Sequence, residues 1–177
     1  MAVHWIALLA ALVPFWLLQN VIHELAHGLA LRLGWGWRFT IWPLPSMRLG
    51  RFTFAHVVYE PTSESSMPDA SGWALVSMMP RLANGAFIIV STMLAAILWR
   101  VSLVAATLLA LFAAYNLVDF SVGMAGIFRS RPNQSDIWRF QANTGTDVGK
   151  LRWMAALTII AGWAMLAAPA LCILGVL

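Results

Sequence analysis

The sequence predicts an all-α polytopic membrane protein with about four transmembrane helices and a membrane-associated β-hairpin after the first, and three observations predict it. The 177 residues are 61% hydrophobic and only 10% charged, against about 25% charged in an ordinary soluble domain. The mean hydropathy is +0.78. The apolar residues gather into four runs, each long enough for a bilayer crossing, which needs about 20 residues. Nothing in the chain has the composition of a second, polar domain, so residues 1–177 are read as one integral membrane domain.

The runs cover residues 3–33, 73–99, 101–128 and 153–177. The first exceeds the hydrocarbon thickness, so it is expected to tilt, bend at Pro14 or emerge at its end. No Lys or Arg precedes it, which argues against a cleaved signal peptide. Residues 37–42 and 47–54 alternate and are rich in aromatic and β-branched side chains around Pro43-Leu44-Pro45, the pattern of a hairpin. Residues 60–69 have loop composition.

The net charge of +4 follows topology and gives no sign of nucleic-acid binding. Arg32, Arg38, Arg48, Arg51, Arg81, Arg129, Arg131, Arg139, Lys150 and Arg152 fall toward one side of the spans, and Arg100 toward the other. The positive-inside rule makes the crowded side cytoplasmic and places both termini outside. Tryptophans agree, with Trp5 and Trp99 at the outer interface and Trp35, Trp37, Trp42, Trp73, Trp138 and Trp153 at the inner one. The single cysteine, Cys172, excludes an intramolecular disulfide.

The chemistry concentrates in His23-Glu24-Leu25-Ala26-His27. Residues four apart share a helix face, so His23 and His27 can present two imidazoles to one zinc ion with Glu24 beside them. Catalytic zinc keeps three protein ligands and an open position for water, whose pKa falls to about 7. Glu24 is placed to take that water's proton and hand it to a leaving amine. Ionisable residues are expensive in a spanning helix, which favours a functional reading over a packed polar cluster. Asn20, one turn before His23, is a candidate outer partner of the metal or a helix-packing residue.

Depth is one filter for the third ligand. His23 lies about 27 Å from Trp5 along its helix, and Asp119 about 30 Å from Trp99 on a span starting at the same face. Asp119 is also the acid within the later spans, with no cationic partner evident for it. Asp136 is the rival, in a polar stretch, residues 129–139, that could fold back under the site; its plainer reading is a solvated acid or helix N-cap.

These residues resemble a family, the site-2 proteases, which are intramembrane zinc metalloproteases. His23-Glu24-Leu25-Ala26-His27-Gly28 on an early span resembles the family's active-site helix, and the hairpin resembles its membrane-associated hairpin. Met79-Pro80-Arg81-Leu82-Ala83-Asn84-Gly85 is similar to a Gly-Pro-x-x-Asn element. Tyr115-Asn116-Leu117-Val118-Asp119 and the later Ser135-Asp136 resemble the Asn-x-x-Pro and Leu-Asp-Gly elements that end the family core. The likeness spans about residues 17–140, with departures: Asp119 stands where a proline is expected and Ile137 where a glycine is expected. By motif the third ligand is therefore Asp136, whereas depth favours Asp119. Asp119 is the expected ligand with Asp136 its rival, because a carboxylate that fails to reach the ion cannot bind it whatever its motif. No inserted PDZ-like domain is present, as in a minimal member, and a membrane-embedded zincin of other function would fit nearly as well.

The resemblance implies a zinc endopeptidase of the inner or plasma membrane acting near the cytoplasmic face on a membrane-protein substrate with a transmembrane segment. Such a helix must unwind before its peptide bonds are accessible, and the freed strand could pair with a hairpin edge. Asn84 and Asn116 are candidates for holding the substrate backbone or oxyanion, or else bridge helices. His56 reads as interfacial and His4 as terminal. The competing classes are an inactive zinc-binding relative that regulates a membrane partner, which would have no use for Glu24, and a metal transporter, which would string polar residues along a path. Two histidines and a carboxylate also suit iron. The substrate's identity, the cleavage site and the oligomeric state have no signature in the sequence.

Overall fold

The computed structural model describes residues 2–42, 46–48, 51–53, 56–63, 67–129 and 135–173. Within them, the side chains of residues 2–9, 46–48, 51–53, 168–169 and 172–173 are not described. The expectations for the side chains of His4, Trp5, Arg48, Arg51 and Cys172, for Arg131, and for the turn at 43–45 thus lie outside the described residues.

Helix α1, Ala2–Trp35, runs through Pro14 without interruption. It stops at Gly36, which takes the left-handed conformation (φ 71°) that glycine adopts without a Cβ penalty. The Gly36 N–H donates to the Arg32 carbonyl and the Trp37 N–H to that of Leu31, which turns the chain back along the helix. Strand β1, Arg38–Trp42, follows, then the short strands β2, Ser46–Arg48, and β3, Arg51–Thr53, and then β4, His56–Glu60.

The hairpin is longer than expected. β1 pairs antiparallel with β4, from Arg38 opposite Glu60 to Trp42 opposite His56, while β2 and β3 pair with each other beyond them. Val57, Val58 and Tyr59 carry the β-branched and aromatic character that the inner pair needs. Glu60, expected in a loop, closes the strand. The sheet lies on α1 because Gly28 has no side chain: a Cβ there would sit 2.8 Å from the Phe39 ring. His56 stacks on Trp42 across the strands, with ring centroids 6.3 Å apart.

Helix α2, Ala70–Leu98, begins at Asp69, whose carboxylate accepts from the Gly72 N–H at 2.7 Å. That hydrogen bond, with a second from Ser71, holds the Asp69 carboxyl below its ordinary pKa. Helix α3 covers Leu103–Ala125, capped by Ser102, and a single 3-10 turn, Gly126–Phe128, ends it. Helix α4, Asp136–Thr144, is short, and α5 spans Val148–Ile173. Among the described residues, three helical segments are long and apolar enough to cross a membrane, Ala70–Leu98, Leu103–Phe128 and Val148–Ala167.

Side-chain placement is inside out relative to a soluble fold. Leu82, Val90, Met93 and Ile97 of α2, Val118 and Val122 of α3, and Leu157 and Ile160 of α5 face outward. Gln19, Ser77, Arg81, Asn84, Ser91, Thr92 and Asn116 are buried. This suits a lipid surround, where polar groups are stable only against each other. Small residues bring the helices close: Ala95, Ala106 and Ala113 are fully buried, and a Cβ on Gly162 of α5 would meet Leu117 of α3 at 2.6 Å.

The placement of α4 matters most for function. Ile137 joins Met124, Ile127, Leu151 and Ala155 in one buried cluster. The Trp138 indole N–H donates to the Gly126 carbonyl at 3.0 Å. Together these fold the chain back after α3 and bring Asp136, at the start of α4, to His23 and His27 of α1 and Arg81 of α2.

Candidate metal centre

His23 and His27 stand one turn apart on α1, with ring centroids 5.3 Å apart. Each has one ring nitrogen committed to an acceptor. His27 Nδ1 lies 2.8 Å from the Val76 carbonyl oxygen, and a carbonyl can only accept, so Nδ1 carries the proton. His23 Nδ1 lies 3.0 Å from Asp119 Oδ2. In the neutral rings both Nε2 atoms therefore present lone pairs, and both face Asp136 Oδ2, at 3.4 Å from His23 and 3.7 Å from His27. Three lone-pair atoms converging in a half-buried site repel one another unless a cation or protons lie between them. His23, His27 and Asp136 each offer an atom within 4.8 Å of the others, and two imidazoles with one carboxylate are a zinc donor set.

Pro80 explains why the Val76 carbonyl is available. Proline has no N–H, so the carbonyl four residues earlier, that of Val76, loses its helical donor. His27 supplies the replacement. This outer hydrogen bond fixes the tautomer that leaves Nε2 open, and losing such a partner costs about 10–100-fold in metal affinity. Pro80→Ala restores a competing N–H, so zinc affinity is expected to fall by about tenfold while the helix grows no less stable. Competition titration with a zinc-responsive dye checks this, and an unchanged affinity would discard the role given to Pro80.

Asp119 reaches the depth of His23, as the sequence suggested, but at the other ring nitrogen. It is not one of the atoms that share the 4.8 Å cluster. Its Oδ2 receives the Arg81 guanidinium at 2.9 Å, the Asn84 amide at 2.6 Å and the Gln19 amide at 3.2 Å in addition to His23. The cationic partner missing from the sequence reading is thus Arg81. Expected as a topology marker, it is instead 6% exposed and bridges Asp119 to Asp136, 3.3 Å from the latter. Room for it comes from Gly123 of α3, where any Cβ would collide with the guanidinium.

Asp136 comes from the first turn of α4, with Ser135 at the N-cap position, so it is neither the cap nor a solvated loop acid. Arg139, one turn on, adds a contact of 3.7 Å to Asp136 Oδ1.

Other expected residues fall nearby or apart. Asn84 is fully buried, donates to Asp119 and accepts from Gln19 at 2.9 Å, so its contacts are with the carboxylate. The Asn116 amide donates to its own helix at the Phe112 carbonyl. Asn20 bonds to the Trp16 carbonyl of its own helix, and Gln19 takes the place proposed for it. The four-residue spacing of Gln19 and His23 was the available signal. Glu24 is half-buried, and its charge acts with that of Asp136 on Tyr59, whose hydroxyl pKa is raised first by burial and then by these two acids.

No protein-family model, curated protein or solved structure matches this chain. The functional reading therefore rests on the geometry of the cluster.

Proposed function

We propose that the chain is an integral membrane zinc metalloendopeptidase that cleaves a peptide bond in or near a transmembrane segment of another membrane protein. One observation carries the reading: the open nitrogens of His23 and His27 and the carboxylate of Asp136 converge, the far sides of both rings are fixed by other residues, and Glu24 is the next residue after His23 on the same helix. Formal charge points the same way: the three carboxylates of Glu24, Asp119 and Asp136 outnumber the guanidiniums of Arg81 and Arg139 beside them, and a bound cation offsets the excess.

His23, His27 and Asp136 hold the ion in this reading; Asp119, oriented by Arg81, Asn84 and Gln19, fixes the His23 ring. Bound zinc supplies Lewis acidity, polarising a carbonyl and acidifying water. Glu24 accepts the proton from the attacking water and returns it to the departing amine, so that one carboxylate serves as base and then acid. Asn84 belongs to the cradle of Asp119 and not to the substrate.

The reading includes four spans, with α1 as the first, both termini outside and the cluster near the cytoplasmic face, as the distribution of Arg and Lys favours. It also keeps the likeness to site-2 proteases, supported by the order of the His23–His27, Asn84 and Asp136 elements. Purified protein in detergent or vesicles is expected to carry one zinc per chain and to cleave a transmembrane reporter. Removing zinc with a chelator should stop cleavage, and adding zinc should restore it. Cleavage indifferent to the chelator would defeat the proposal.

A further inference from the structure

A cavity of about 260 Å³ opens beside His27. Its inner wall is formed by the buried Val76 and Ser77 of α2, with Trp73 and Tyr59 at the sides. Arg139 and Asn143, one turn apart on α4, stand at its mouth, where the Arg139 side chain is 62% exposed. The inner polar groups are already used: Ser77 Oγ donates to the Trp73 carbonyl at 2.9 Å, and His27 Nδ1 to that of Val76. What remains for a guest is a mainly apolar inner wall beside a residue of the metal cluster, with the polar side chains of Arg139 and Asn143 confined to the mouth.

We propose that this cavity receives a bulky apolar side chain, aromatic or branched, on a substrate residue flanking the scissile bond. The inference rests on the peptidase reading above. Size supports it, since a cavity of about 150 Å³ already holds benzene. Chemistry supports it too: a carboxylate or amide would enter with no free partner on the inner wall and lose its hydration. A lysine or arginine side chain would meet Arg139 at the entrance. His27 belongs both to the cavity wall and to the cluster, which sets a side chain in the cavity next to a residue that holds the ion in this reading.

The test uses the full-length protein and transmembrane reporters in which the residues on either side of the cleaved bond are set in turn to Phe, Leu, Ala, Asp and Lys. Phe and Leu are expected to exceed Ala by at least about tenfold in kcat/KM, as a missing methylene in an apolar pocket already costs about 10–200-fold. Asp and Lys should fall below Ala. Ser77→Leu fills the cavity without leaving an acceptor unmatched within the side chain, and should cut the Phe advantage to about twofold or less. Equal rates for all side chains, or an advantage untouched by Ser77→Leu, would overturn the assignment.

A second measurement does not depend on turnover. A reporter peptide with photo-leucine at the flanking position is irradiated with the Glu24→Gln protein, and adducts are located by mass spectrometry. Adducts on Trp73 or Val76 that Ser77→Leu removes support the pocket even if no reporter is cleaved, in which case the peptidase reading alone fails. Adducts elsewhere overturn the pocket.

Discussion

Asp136→Ala is expected to release zinc, taking the metal content of the purified protein from one ion per chain to a small fraction. The variant removes one of three atoms that converge on the site, so its effect should exceed the about 10–100-fold loss that follows removal of an outer partner. Asp119→Asn should show that smaller loss, because it keeps an oxygen for Arg81 and Asn84 but weakens the hold on His23 Nδ1. Metal analysis by emission spectrometry on both variants, at matched helical circular dichroism, separates the two roles. The opposite order, with zinc lost from Asp119→Asn and kept by Asp136→Ala, would return Asp119 to the ion and reject the geometric assignment.

Glu24→Gln should keep the zinc and lose the reaction. Glutamine is nearly the same size and cannot accept a proton from water, so kcat is expected to fall by about 10²–10⁴-fold, the usual worth of a positioned acid–base group. Zinc stoichiometry should be unchanged, since Glu24 is not among the atoms that converge. Equal cleavage by the two proteins would remove Glu24 from the chemistry. A protein that holds zinc but cleaves no reporter in either form would instead favour the regulatory, non-enzymatic reading.

These expectations combine local and distant information in different proportions. The pairing of His23 and His27 needed only the four-residue spacing of a helix, and the apolar runs announced their helices by length. Gln19, four residues before His23, was as legible by spacing as Asn20, three before it, but only the fold turns Gln19 to Asp119 and Asn20 to its own helix. The strand character of residues 56–60 was also written in Val57, Val58 and Tyr59, yet the proline-flanked turn suggested a shorter hairpin. Arg81 was harder. An arginine on the side counted as cytoplasmic looks like a topology signal until two neighbouring helices, α3 and α4, each supply a carboxylate for it.

Pro80 shows the same division within one residue. Its missing N–H is a property of the sequence, and that the Val76 carbonyl is left without a helical donor follows from helix geometry alone. That His27 of another helix fills the gap does not follow, because the distance from α1 to α2 is set by packing. Asp136 is the clearest case. Its buried neighbours Ile137 and Trp138 decide where it goes, by docking α4 against the end of α3 and the start of α5.

By itself, the sequence determined a helical, lipid-suited chain and one helix face bearing two imidazoles and a glutamate, since both depend on residues a few positions apart. Only the tertiary structure decided which carboxylate faces the open nitrogens and which one props a ring from behind. Two acids that can both reach the histidines are equivalent until the fold chooses the side from which each approaches, and for Asp136 that choice is made by the docking contacts of Ile137 and Trp138 beside it.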